Sequence, residues 1–172
     1  MKSRLCLILV ALLALATPTA AQELGFRGWG PRVGATNNPD QVLGGLQFNF
    51  GEFVPHLRFQ PNFEIAFGDD FQILSVTAPV HYRFDVEGKV TPYAGGGVTV
   101  AWVNEDLPRG RDESDLEIAL KGIGGVEWPL QGGNDFFLEL NVGFGDIQDF
   151  QVLAGWMFGS GGRGSAPKPS QP

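Results

Sequence analysis

The sequence predicts an all-β protein, an eight-stranded antiparallel up-and-down transmembrane β-barrel. Three observations predict it. The chain opens with an export signal. The remainder divides at turn residues into eight segments in which apolar and polar side chains alternate. The apolar sets are also too bulky to fit inside the barrel that eight strands would close.

The export signal is read from the first 21 residues. Lys2 and Arg4 precede an apolar run of 12 residues, 5–16, which Thr17-Pro18 breaks before the small residues Thr19-Ala20-Ala21. This is the pattern of a secretory signal peptide cleaved before Gln22, and the run is too short for a spanning helix. Cys6 lies within it, away from the place a lipid-modified cysteine would take. The mature chain then has no thiol, which excludes disulfides, thiolate metal sites and cysteine catalysis. About 151 residues remain, enough for one domain over 22–158. Residues 159–172 are rich in Gly, Ser and Pro and are expected to form a disordered tail, with Arg163 and Lys168 making it mildly basic. Without Lys2 and Arg4, 10 basic residues face 19 acidic ones, a net charge of −9. No basic patch survives, so nucleic acid is not an expected partner. No later run reaches the ~18 apolar residues of a transmembrane helix.

The clearest strand is 57–67. Leu57, Phe59, Pro61, Phe63, Ile65 and Phe67 share one face, and Arg58, Gln60, Asn62, Glu64 and Ala66 share the other. Its length suits a membrane-crossing strand. The first segment, 24–36, is Gly-rich; Arg27 and Arg32 differ in parity there, which predicts a bulge at Gly28-Trp29-Gly30-Pro31. The second, 42–50, places Leu46, Phe48 and Phe50 against Gln47 and Asn49. In the fourth, 71–84, Leu74, Val76, Ala78, Val80, Tyr82 and Phe84 oppose Ser75, Thr77, His81 and Arg83. The fifth, 90–103, puts Ala94, Val98, Val100 and Trp102 against Thr91, Tyr93, Gly95, Gly97 and Thr99. The sixth, 116–130, sets Leu116, Ile118, Leu120, Val126, Trp128 and Leu130 against Glu117, Lys121 and Glu127. In the seventh, 136–144, Phe136, Leu138, Leu140, Val142 and Phe144 oppose Glu139 and Asn141. The eighth, 150–158, has Phe150, Val152, Ala154, Trp156 and Phe158 on its apolar face.

Strands so close in sequence pair as antiparallel hairpins, and an even set of eight closes without an unpaired edge. Alternation alone does not say which face is outside. An eight-stranded interior is just wide enough for side chains, and eight sets of Phe, Trp, Leu and Ile would overfill it. The apolar faces are therefore expected to meet lipid, with Phe59, Phe63, Ile65, Phe67, Val98, Trp102, Trp128, Leu138, Trp156 and Phe158 among them. With both chain ends in the periplasm, connections 37–41, 68–70, 104–115 and 145–149 point outward. The longest, 104–115, is where an extracellular partner would dock. Trp102 and Trp128 fall near opposite membrane surfaces, where indoles are favoured.

Three stretches carry a resemblance: Thr91-Pro92-Tyr93-Ala94-Gly95-Gly96-Gly97-Val98, Gly124-Gly125-Val126-Glu127-Trp128, and the closing Ala154-Gly155-Trp156-Met157-Phe158. With them the chain resembles the small eight-stranded outer-membrane β-barrel family, which includes the OmpA membrane domain and OmpX types. The resemblance covers about residues 22–158. It implies residence in the outer membrane of a Gram-negative-type bacterium, contact with outer-membrane lipid, and delivery by the outer-membrane assembly machinery, which reads a closing aromatic residue. Family members commonly end at that residue; here 14 residues follow Phe158. No cell-wall-binding domain follows the barrel segment, so that role of larger members is not carried over.

The polar faces gather Arg58, Glu64, His81, Arg83, Glu117, Lys121, Glu127 and Glu139 in the lumen. Charges in so narrow a space must be paired, which makes a structural ion-pair plug the main expectation and a narrow gated pore the alternative. A lipid-modifying enzyme would need a His with a Ser and an acid within reach. The chain has only His56 and His81, and neither has a Ser two residues away, so no catalytic residue is assigned. Glu105, Asp106, Asp112, Glu113 and Asp115 crowd the long connection, and Asp69 and Asp70 adjoin, without the spacing of a calcium loop. No metal or cofactor is expected. The reading is a non-enzymatic envelope barrel with a structural or surface-interaction role. A soluble periplasmic or secreted barrel binding a small apolar ligand is the alternative, and it requires the two faces to be exchanged.

Overall fold

A computed structural model of the chain describes residues 24–37, 40–68, 71–107, 111–144 and 150–159, with the side chains of 71, 104–107 and 111–115 left undescribed. The predicted signal peptide, the tail beyond 159 and connection 145–149 lie outside the described residues. Ten strand segments are present: β1 (Gly28–Asn37), β2 (Gln41–Asn49), β3 (Glu52–Val54), β4 (Leu57–Phe59), β5 (Asn62–Phe67), β6 (Phe71–Arg83), β7 (Thr91–Leu107), β8 (Arg111–Pro129), β9 (Asp135–Phe144) and β10 (Phe150–Met157). They build eight staves, because β3 prolongs β2, and β4 and β5 are one stave in two pieces. All neighbours pair antiparallel, and β1 pairs both β2 and β10, which closes the barrel.

The division of the 57–67 strand follows from Pro61, which has no N–H for the ladder. The register is the same on both sides: Phe59 lies opposite Val80 and Asn62 opposite Thr77. Across the gap the Gln60 N–H donates to the Pro79 carbonyl at 3.3 Å, and the Phe48 N–H donates to the Pro61 carbonyl at 2.9 Å. The alternation of faces is unbroken from 57 to 67. At the turn between β3 and β4, His56 adopts φ of 70°, a left-handed conformation uncommon for a side-chain-bearing residue.

Two expectations are corrected. The first strand has no bulge at 28–31. Its register with β2 runs unbroken from Gly28 opposite Asn49 to Thr36 opposite Gln41. Arg32 points inward and is buried, while Arg27 precedes the strand and is exposed at the barrel end. Gly30 makes regularity feasible, because a Cβ there would collide with the Trp156 carbonyl of β10. The glycine thus serves a close approach of two strands. The second correction concerns 104–115, expected as a long connection. Its backbone is mostly paired, from Asn104 opposite Ser114 to Leu107 opposite Arg111. Continuing the ladder satisfies backbone groups that an open loop would leave to water. The β7–β8 pair therefore extends past Leu120, where the pairing of β8 with β9 begins, and past Glu105, where the pairing of β7 with β6 begins.

The apolar face is outside. Phe67, Val98, Trp102, Leu138, Trp156 and Phe158 are exposed, Phe59, Phe63 and Ile65 occupy half-buried outward positions between buried lumen residues, and Trp128 is half-buried beside the buried Glu127. This is the reverse of what a ligand-binding barrel with an apolar lumen requires. Both described chain ends lie at one end of the barrel, here the terminal end, where Trp29 and Phe158 bridge. Aromatic rings cluster around that end. Trp128, Phe136 and Trp156 form a contiguous run, with centroids 5.8 and 5.3 Å apart. Trp29 contacts Phe158 at 5.7 Å, and Phe59 contacts Phe50 and Phe53 at 6.1 and 5.6 Å. At the other end Phe67, Trp102, Phe144 and Phe150 are exposed. Two aromatic girdles flanking an aliphatic band are the outer surface expected of a spanning barrel.

Candidate functional site

Inward positions on every stave carry the polar side chains, and these meet across the lumen in two joined clusters. The central one forms around Arg32 of β1. Its Nε lies 3.0 Å from Glu64 Oε1 of β5, its Nη2 donates to Glu139 Oε1 of β9 at 2.6 Å, and its Nη1 donates to Gln47 Oε1 at 3.2 Å. The guanidinium carbon sits 5.8 Å from the centre of the Phe137 ring. Lys121 of β8 donates to Glu64 Oε2 at 3.5 Å and to Gln151 Oε1 at 3.3 Å. Gln151 donates in turn to Glu64 Oε2 at 3.2 Å and accepts from Asn141 at 2.8 Å.

The second cluster lies toward the terminal end. Arg58 of β4 pairs with Glu127 of β8. Arg83 of β6 sits 3.4 Å from the other oxygen of Glu127 and 3.8 Å from Glu52. His81 Nδ1 is 3.0 Å from Gln60 Oε1, and its ring stacks on Tyr93 with centroids 5.1 Å apart. Tyr93 joins the clusters, because its hydroxyl donates to Glu139 Oε2 at 2.9 Å. It lies opposite Gly125, where a Cβ would run into the phenol ring.

Each cluster is neutral as paired. Arg32 and Lys121 face Glu64 and Glu139; Arg58 and Arg83 face Glu127 and Glu52. That balance matters because an uncompensated charge in such a site costs several kcal/mol. A small apolar cluster of Leu43, Ala66, Ile73, Ala101, Ala119 and Leu153 fills another part of the lumen. The side chains of Arg32, Leu153, His81, Gln151, Thr77 and Thr99 are almost wholly inaccessible to water.

Of the residues predicted for the lumen, Arg58, Glu64, His81, Lys121, Glu127 and Glu139 are buried there, and Arg83 is partly exposed at the terminal mouth. Glu117 faces inward opposite Ala101 but is half-buried and joins neither cluster; its Oε2 has no hydrogen-bond partner among the described residues. Arg32 is the residue that sequence reasoning missed. Its parity conflict with Arg27 was the available signal, and a strand beginning at Gly28 resolves it. Gln151 and Glu52 were missed too, while Gln47 and Tyr93 were predicted on the polar faces without a role in the cluster. Gln151 was legible as the polar position between Phe150 and Val152.

His56 sits in a turn at the terminal end, 3.7 Å from Asp85, and no serine is hydrogen-bonded to either histidine among the described residues. Nor does any group of three or more His, Cys, Asp or Glu stand ready to hold a metal ion among those residues.

No family model matches the chain, and no curated protein matches it. Among solved structures it is similar to Neisserial surface protein A, with a TM-score of 0.65 and 18% identity, over 78% of this chain and 97% of that one. It is also similar to the N-terminal β-barrel domain of Pseudomonas aeruginosa OprF, with a TM-score of 0.62 and 11% identity, over 78% and 98%. At these identities the likeness establishes the fold, a closed eight-stranded antiparallel barrel of the transmembrane type.

Proposed function

We propose that this chain is a non-enzymatic outer-membrane protein that contributes to envelope structure and presents the β7–β8 ribbon to the cell exterior. One observation carries the reading: an apolar, aromatic-girdled outside encloses a neutral set of buried ion pairs. The outside is soluble in lipid and the inside is filled, so the barrel has the build of an anchor that holds its connections at a surface. On this reading residues 1–21 direct export, the assembly machinery inserts the barrel, and the acidic ribbon tip meets an extracellular partner. The lumen residues Arg58, Glu64, Arg83, Lys121, Glu127 and Glu139 act as a structural plug.

The test is the mobility of the envelope-extracted protein in SDS, unboiled against boiled, with fractionation of the envelope. A heat-dependent shift together with recovery in the outer-membrane fraction is expected. Soluble protein without a shift would reject the proposal.

A further inference from the structure

Four buried polar atoms near the terminal end of the lumen have no hydrogen-bond partner among the described residues; Arg83 Nε and Glu127 Oε2 form an ion pair with each other, which leaves Arg58 Nε and His81 Nε2. Both residues are nearly fully buried, at 3% and 2% exposure. They lie directly opposite each other on β4 and β6, which places their Cα atoms about 4.5–5.5 Å apart. Buried polar groups of this kind are nearly always satisfied, by protein or by ordered water.

Their chemistry is complementary. Arg58 Nε carries a hydrogen and can only donate. The partner of His81 Nδ1 is the amide oxygen of Gln60, which can only accept, so the neutral ring carries its proton on Nδ1. Nε2 is then a bare acceptor. The two groups cannot simply turn toward each other, because Arg58 is held by Glu127, and His81 by Gln60 and the Tyr93 ring. We propose that a water molecule bridges them, accepting from Arg58 Nε and donating to His81 Nε2. Its route to solvent is short on one side only. Arg83, the next inward residue of β6, has a side chain 28% exposed at the terminal mouth. Toward the other end Arg32, Thr77 and Thr99 are sealed. On the stave of Arg58, two inward positions farther on, Asn62 Oδ1 is also buried without a hydrogen-bond partner among the described residues and would accept from a second water.

The test is water–protein cross-relaxation by NMR on the folded, nitrogen-15-labelled protein in detergent micelles. A cross-peak at the solvent frequency is expected at the Arg58 Nε proton and none at the Arg32 Nε proton, which faces Glu64. The His81 ring should be the neutral Nδ1-protonated form. His81→Phe keeps a ring against Tyr93 and removes the acceptor; it should lose the Arg58 cross-peak while retaining the folded mobility in SDS. No cross-peak at Arg58, an Nε2-protonated His81, or an undiminished cross-peak in His81→Phe would each overturn the proposal. If His81→Phe does not fold, the contrast between Arg58 and Arg32 and the His81 tautomer decide it in the unsubstituted protein.

Discussion

Arg32→Met is expected to destabilise the folded barrel by about 3–5 kcal/mol, the cost of breaking a buried ion pair from one side. The loss has two parts. Arg32 contacts Glu64 and Glu139 at once, so its removal leaves two carboxylates in the lumen with only Lys121, at 3.5 Å from Glu64, in compensation. It also takes a donor from Gln47. Desolvated charge without a partner is the larger part, and that identifies a rescue. Arg32→Met combined with Glu139→Gln should recover most of the stability, since it leaves Lys121 and Glu64 as a balanced pair, and a neutral replacement of a buried ion pair is often close to neutral in energy. Urea titration of the folded fraction in detergent, read by the unboiled gel band, measures both. A single substitution costing under about 0.5 kcal/mol, or a double variant no better than the single one, would contradict the assignment of Arg32 as the centre of the plug.

The second large effect belongs to the outer face. Phe63→Arg and Val76→Arg, opposite each other near the middle of their staves, should each cost about 2–4 kcal/mol in a bilayer. Tyr82→Arg, outward on the same strand as Val76 but beside the terminal-end aromatics, should cost about 0–1 kcal/mol, because an arginine near the interface reaches water. The graded cost follows from depth alone. Equal costs at Val76 and Tyr82, measured by urea unfolding from lipid vesicles, would mean that this face is not in the membrane.

Much of the architecture was legible because a strand has a period of two. The Phe59, Phe63, Ile65 set and the Leu138, Leu140, Val142 set could be assigned to one face without knowing a single partner, and volume then put that face outside. Strand ends were legible where Gly, Pro or Asn interrupted the pattern. The acidic stretch at 104–107 and 111–115 was not, because charged residues read as a loop although a solvated ribbon tolerates them equally well. Pairing across the lumen was out of reach. Which acid meets Arg32 depends on the tilt of the staves and the relative register of β1, β5 and β9, and residues 32, 64 and 139 are far apart in sequence. The same holds for Tyr93, whose ring occupies the space left by Gly125 and so reaches Glu139. A glycine opposite an aromatic is informative only once the register is known.

Tryptophan fluorescence tests the face assignment most directly. All four tryptophans, Trp29, Trp102, Trp128 and Trp156, occupy outward positions. Reconstituted into vesicles of bromine-labelled phosphatidylcholine, the protein should lose most of its emission, while acrylamide in the aqueous phase should quench it only weakly. Strong acrylamide quenching with little effect of the brominated lipid would contradict a barrel that turns its apolar face to the bilayer.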